Sequence, residues 1–164
     1  MRVVPKTAEL SLLSWGSKLL PKKNIEVAYL ENFLRVKPSL LPRAGKGLFT
    51  KAFIKKGRRI VEYKGTIVKW KNVKYEDGEN GYLMYLTANV VIDARPSKSV
   101  GRYANDAGGD SNIKGLTNNS EYVSVGKRCY IEAIRDIKRG EEIFVGYGKD
   151  YWNLHKQTRK KKSM

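Results

Sequence analysis

The chain has 164 residues, 41% hydrophobic and 10% aromatic, and its 33 Lys and Arg against 16 Asp and Glu leave a formal net charge of +17. That is enough apolar material for one domain with short extensions, and too much for a disordered chain. No apolar run approaches the ~20 residues of a membrane span, the first residues read as neither signal peptide nor anchor, and one cysteine and one histidine argue against internal disulfides, structural zinc and Ser-His-Asp or Cys-His hydrolysis.

In chain order, residues 7–20 carry Leu10, Leu13, Leu19 and Leu20 with Trp15, a loose helical stripe ending before Pro21. Residues 1–33 form an N-terminal extension. "IEVAYLENFLRVKPS" suits helix or strand, and a strand over 33–37 stopped by Pro38 is favoured. From there the pattern changes to short strands with turn punctuation. "GLFTKAFI", "RRIVEYKGTIV", "YLMYLT", "VVIDA", "EYVSV", "RCYIEAI" and "EIFVGY" are β-branched or aromatic, with Gly57, Gly65, Gly126 and Gly140 at the turns. Between them, "VKWKNVKYEDGENG" predicts a short helix plus loop. The fold class is mostly β with few short helices, and a doubly wound nucleotide fold is disfavoured. "GRYANDAGGDSNIKGLTNNS", with Asn105, Asp106, Asp110, Asn112, Asn118 and Asn119, is a long polar loop, a feature of functional or floppy segments.

Cys129 sits in the strand pattern "RCYIEAI" and is expected as a small buried hydrophobe in a protein of a reducing, intracellular compartment. The positive field attracts nucleic acid, acidic proteins or anionic surfaces. The stretch "HKQTRKKKSM", residues 155–164 of a basic C-terminal tail over 153–164, suits a solvated end and a binding arm equally.

Three stretches carry candidate chemistry. In "RAGKGLF", Gly45 and Gly47 allow backbone amides to approach a ligand, or make a plain turn. In "GRYANDA", Asn105 can both donate and accept, or form an Asx turn. "GEEIFVGYGKDYW" places Tyr147, Tyr151 and Trp152 after a charged turn, as a core edge or as the wall of a channel.

Taken together and in order, "RAGKGLF", "IKKGRRIVEYKG", "VIDA", "GRYANDA" and "RDIKRGEEIFVGYG" resemble the SET-domain protein lysine methyltransferases over residues 34–152. "YGKDYW" is similar to the ending of compact viral-type members. The resemblance implies several small β-sheets with a C-terminal pseudo-knot. It implies S-adenosylmethionine as cofactor, no metal, and transfer of a methyl group to a lysine side chain. By position, Lys46 and Gly47 would give the cofactor backbone contacts, and Arg102, Asn105 and Asp106 fall on the family's Arg-Phe-x-Asn-His element. Tyr147 falls on the active-site tyrosine, which also meets the cofactor. Tyr82 falls near the tyrosine of the opposite wall, with Tyr85 a close competitor. Tyr151 and Trp152 would flank the lysine channel with Tyr85.

The sequence also departs from the family. Asp106 and Ala107 replace the usual His and Ser, and an insertion, "GGDSNIKGLT", precedes Asn119. No cysteine-rich segment follows Trp152, which leaves "KDYWNLHK", the first 33 residues or a partner to close the channel. With the charge, the implied substrate is a histone or ribosomal-type protein on nucleic acid, with non-specific DNA or RNA contact and a nuclear location for a eukaryotic source. The rival reading, favoured by Asp106, is a weak or inactive SET-like basic adaptor that binds lysine-containing or nucleic-acid partners.

Overall fold

The computed structural model describes residues 6–7, 30–77, 79–111 and 113–162. The predicted helical stripe over 7–20 lies, after Thr7, outside the described residues, as does Asn112. The runs of β-branched and aromatic residues form strands, because such side chains suit a pleated, half-buried surface. In chain order these are β1 (Lys6–Thr7), β2 (Leu34–Pro38), β3 (Lys46–Thr50), β4 (Arg59–Glu62), β5 (Thr66–Lys69), β6 (Leu83–Thr87), β7 (Val90–Asp93), β8 (Ser120–Val125), β9 (Arg128–Ala133) and β10 (Glu142–Ile143). Among the described residues one α-helix, α1, spans Lys149–Lys162. "VKWKNVKYEDGENG" holds two 3-10 turns, Trp70–Asn72 and Lys74–Glu76, rather than one helix.

The strands make three small sheets, in the orders β1-β8-β9-β4, β10-β3-β2 and β5-β7-β6. All pairings are antiparallel except β1 with β8. Gly126 turns the β8–β9 hairpin with φ +59, the positive value that a two-residue loop demands of its first residue. The main core lies between the sheets and includes Leu48, Ile60, Met84, Ile92, Ile131, Ile143 and Val145. A second cluster, Val73, Leu83, Tyr85 and Val91, lies on the other side of the β5-β7-β6 sheet. The division follows strand parity: Met84 and Ile92 face the main core, while Leu83, Tyr85 and Val91 face away.

The segment after β10 threads between two others. Phe144 bridges Asn105 and Val145 bridges Ser120, both in parallel. The Asn119 side chain accepts a hydrogen bond from the Phe144 amide at 2.9 Å and donates to the Glu142 carbonyl at 2.7 Å. The Ser120 hydroxyl donates to the Phe144 carbonyl at 2.7 Å. The long polar loop before Asn119 is therefore anchored at its end. The chain then enters α1, which crosses the expected boundary at 152/153, so the basic tail through Lys162 is the continuation of a helix begun at Lys149.

Asn119 is buried, and its amide satisfies backbone groups that have no strand partner. Asn119→Ala leaves two buried polar groups unpaired and is expected to lower stability by about 2 kcal/mol or more, read from urea unfolding. A change below experimental error would show that the threaded segment is held by other contacts.

Candidate active site

Beside the threaded segment lies a cleft of about 850 Å³. One wall comes from the loop before β3. There the Ser39 amide bonds the Gly45 carbonyl at 2.9 Å, and Gly45 takes φ +70. Gly45 and Lys46 line the cleft with Arg102, Tyr103 and Asn105. The Asn105 side chain donates to the Lys46 carbonyl at 2.9 Å and to a Glu142 oxygen at 3.3 Å. Arg102 lies over the Tyr82 ring at 4.3 Å and donates to the carbonyls of Arg95 and Ser97. Its Nε is buried with no hydrogen-bond partner.

Gly47 is placed differently from the expectation. It is buried within β3 and does not line the cleft. An added Cβ there would meet the Glu142 carboxylate at 2.0 Å. The glycine makes room for a buried acid, which accepts hydrogen bonds from the Ser39 hydroxyl at 2.6 Å and the Leu40 amide at 2.7 Å.

The other end of the cleft is aromatic, with Tyr63, Tyr82, Tyr122, Tyr147, Tyr151 and Trp152. The Tyr147 hydroxyl donates to the Ala104 carbonyl at 2.8 Å. Its ring meets Tyr151 edge-on at 5.1 Å and stacks on Trp152 at 6.0 Å. Tyr63 donates from its hydroxyl to the Tyr82 carbonyl at 3.1 Å and meets Tyr122 edge-on at 5.5 Å. Tyr82 and Tyr85 are separated by strand parity. Tyr82 joins the cleft, whereas Tyr85 packs against Trp70 at 4.9 Å in the second core cluster and does not line it. Tyr63 and Tyr122 were not anticipated. Their signal lay in "VEYKG" and "EYVSV", where alternation points one polar-tipped ring inward.

Asp106 organises this end. One carboxylate oxygen accepts from the Tyr147 amide at 2.7 Å and from the Trp152 indole at 2.8 Å. The other accepts from the Gly108 amide at 2.8 Å and the Asn118 side chain at 2.9 Å. A histidine ring has no such paired acceptors, so the departure at this position has a structural consequence: it ties the start of α1 to the loop. α1 then lines the cleft with Tyr151, Trp152, His155 and Arg159. Asp110 adds ion pairs to Lys156 at 3.7 Å and Arg159 at 3.5 Å, both half-exposed and of small energetic weight. Thus "KDYWNLHK" itself closes one side of the cleft.

A model of the SET domain matches residues 45–148. The chain belongs to the SET-domain family. It is 34% identical over 131 residues to the histone-lysine N-methyltransferase EZH2 of Chaetomium thermophilum, an alignment that covers 73% of this chain and 8% of that relative. Among solved structures, ctPRC2 in an autoinhibited conformation bound to S-adenosylmethionine matches with a TM-score of 0.58 and 27% identity, over 79% of this chain and 17% of that one. ctPRC2 in complex with H3K27me3 and H3K27M matches with a TM-score of 0.58 and 27% identity, over 71% and 14%. The chain thus spans between 8% and 17% of the length of these relatives. Its three small sheets and threaded C-terminal segment are the SET fold.

Burial pushes the hydroxyls of Tyr63, Tyr122, Tyr147 and Tyr151 up, and the Cys129 thiol up from 9.0 to about 12. For an acid whose native pKa is raised, the folded state holds its proton longer than the unfolded state. Stability is therefore full below the unfolded pKa and falls as pH rises above it. Unfolding free energy is expected to be flat through about pH 8 and to decline from about pH 9 upward. Urea titrations across that range that show no decline would place these groups in water.

Gly109 exists for the indole: a Cβ there would meet the Trp152 ring at 2.0 Å. Gly109→Ala is expected to displace Trp152 from Asp106 and red-shift its fluorescence relative to a Trp152→Phe control. An unchanged spectrum would contradict the packing described.

Proposed function

We propose that this SET domain is an S-adenosylmethionine-dependent protein-lysine N-methyltransferase, and that its target is a lysine on a histone or similar nucleic-acid-associated protein. The observation that supports it most is the continuity of the cleft, which runs from Gly45, Lys46 and Asn105 to the rings around Tyr147. The ctPRC2 structure that this fold matches is bound to S-adenosylmethionine. The partnerless Nε of Arg102 is a donor for an anionic group such as a carboxylate, and Gly45 and Lys46 line the same cleft. When bound, S-adenosylmethionine supplies an electrophilic methyl group.

What this chain's residues do is align, desolvate and hold protons. Alignment of two reactants is worth up to roughly 7–11 kcal/mol in favourable intramolecular reactions. A free lysine has a pKa of about 10.4, and a wall of tyrosine rings disfavours its ammonium by desolvation. The Tyr147 hydroxyl keeps its proton, because burial raises its pKa. It acts as an orienting group, not a nucleophile. Aromatic faces also accept a methylated ammonium by cation–π attraction. Asp106, at the cleft wall, has its oxygens engaged by four donors and holds Tyr147 and Trp152 in place.

The histone-type substrate rests on EZH2 and on the ctPRC2 complex with H3K27me3 and H3K27M. It carries with it a nuclear setting if the source is eukaryotic. The unit proposed for this activity is residues 34–152 with α1 as its closing wall. The adaptor reading is favoured by one observation, the Asp106 bond that holds Trp152 at the cleft. A thermal shift with S-adenosylmethionine separates them, since a ligand of the native state alone must stabilise it.

The direct test is transfer of labelled methyl from S-adenosylmethionine to nucleosomes, free core histones and a ribosomal-protein mixture. Label on a histone band is expected, with Tyr147→Phe cutting turnover by about tenfold or more while the fold persists. Label on ribosomal proteins alone would overturn the histone substrate. The absence of both label and cofactor-induced stabilisation would overturn the enzyme reading.

A further inference from the structure

Away from the cleft, two loops separated by 80 residues are locked together: the Lys56 amide donates to Asp136 Oδ1 at 2.8 Å. Ile54 and Ile137 exchange backbone hydrogen bonds at 2.9 and 2.8 Å, Gly57 donates to the Ala133 carbonyl at 2.7 Å, and Gly140 donates to the Thr50 carbonyl at 2.8 Å. The joint is therefore rigid. From it project the exposed cations Lys51, Lys55, Lys56 and Arg58 on one loop and Arg135, Lys138 and Arg139 on the other. The only acids in residues 51–58 and 134–141 are Asp136 and Glu141, so seven cations less two acids leave +5. Both acids are occupied, Asp136 by the Lys56 amide and Glu141 by Arg135 at 2.9 Å and the Lys138 amide at 3.0 Å.

The same surface exposes Phe53 at 58% and Ile134 at 39%. Phe53 lies between Lys51 and Lys55 in the chain, and none of these residues lines the cleft. An exposed ring flanked by cations suits a polyanion that also offers flat apolar faces. Single-stranded nucleic acid is such a ligand: its phosphates meet the cations and an unpaired base stacks on the ring. A duplex hides its base faces in the stack, and an acidic peptide supplies charge without a flat aromatic partner.

We propose that this two-loop face binds single-stranded nucleic acid, with Lys55, Lys56, Lys138 and Arg139 on phosphates and Phe53 stacked on an unpaired base. The surface is distinct from the methyl-transfer cleft, and its test does not depend on activity.

The test is fluorescence anisotropy of the full chain with labelled oligo-dT of about 20 nucleotides, a duplex of equal length, and polyglutamate as competitor. The patch variant is Lys55→Ala/Lys56→Ala/Lys138→Ala/Arg139→Ala. Its charge-matched control is Lys71→Ala/Lys74→Ala/Lys114→Ala/Lys127→Ala, at exposed positions outside the patch. All eight side chains are exposed, and thermal melts of both variants serve as the check that they fold. The patch variant is expected to lose tenfold or more in oligo-dT affinity and to flatten the log–log salt slope by about 3, from about 0.7 per phosphate contact. The control is expected to change far less. Phe53→Ala is expected to weaken oligo-dT binding about fivefold or more and to leave duplex binding unchanged. Equal losses in patch variant and control would overturn the proposal in favour of diffuse charge. So would a Phe53→Ala protein that binds oligo-dT as before. Displacement of oligo-dT by polyglutamate at equal concentration would assign the face to an acidic protein instead.

Discussion

The carbonyl of Phe144 is the point on which the fold turns. It accepts from the Asn119 amide, the Ser120 amide and the Ser120 hydroxyl, while the Phe144 amide donates back to the Asn119 side chain. A segment passed between two others cannot form a full ladder on either side, yet its buried polar groups must still be satisfied. Side-chain amides and a hydroxyl complete the set. Once Phe144 is fixed, Val145 is bonded to Asn105, and Tyr147 follows two residues later at the cleft.

Two buried carboxylates flank this segment, and both are held by hydrogen-bond donors, with no cation as partner among the described residues. Glu142 takes its bonds from Ser39, Leu40 and Asn105, and its bulk explains the glycine at 47. Asp106 takes its bonds from Tyr147, Trp152, Gly108 and Asn118, and the indole it holds explains the glycine at 109. In both, each carboxylate oxygen is engaged by N–H or O–H donors. In a chain of net charge +17, this leaves local negative charge beside the cleft.

The same charge is distributed with a division of labour. On α1, Lys156 and Arg159 face Asp110 and help hold the helix at the cleft. Around the two-loop joint, the acids are engaged within the loops, while Lys55, Lys56, Lys138 and Arg139 are exposed. The proposed cleft chemistry and the proposed nucleic-acid face therefore draw on different surfaces of the domain.

The order of strands, the mostly β class and the motifs of the SET family were legible in the sequence. β-branched and aromatic runs between glycine turns are local signals, and each motif lies in one short stretch. Tyr147, Tyr151, Trp152, Arg102, Asn105, Asp106 and Lys46 were placed by motif, and the structure brings all of them to one cleft. The helix α1 was less legible, because its cations read equally as a solvated end. Gly47 and Tyr85 needed tertiary structure. Gly47 faces an acid 95 residues further on in the sequence, and Tyr85 differs from Tyr82 only in the side of the sheet it occupies. Residue spacing alone does not say which face of a strand becomes the core; the packing of a second sheet against it does. The joining of the two basic loops was equally invisible, since charge is written locally but a surface is assembled from segments that only the folded chain brings together.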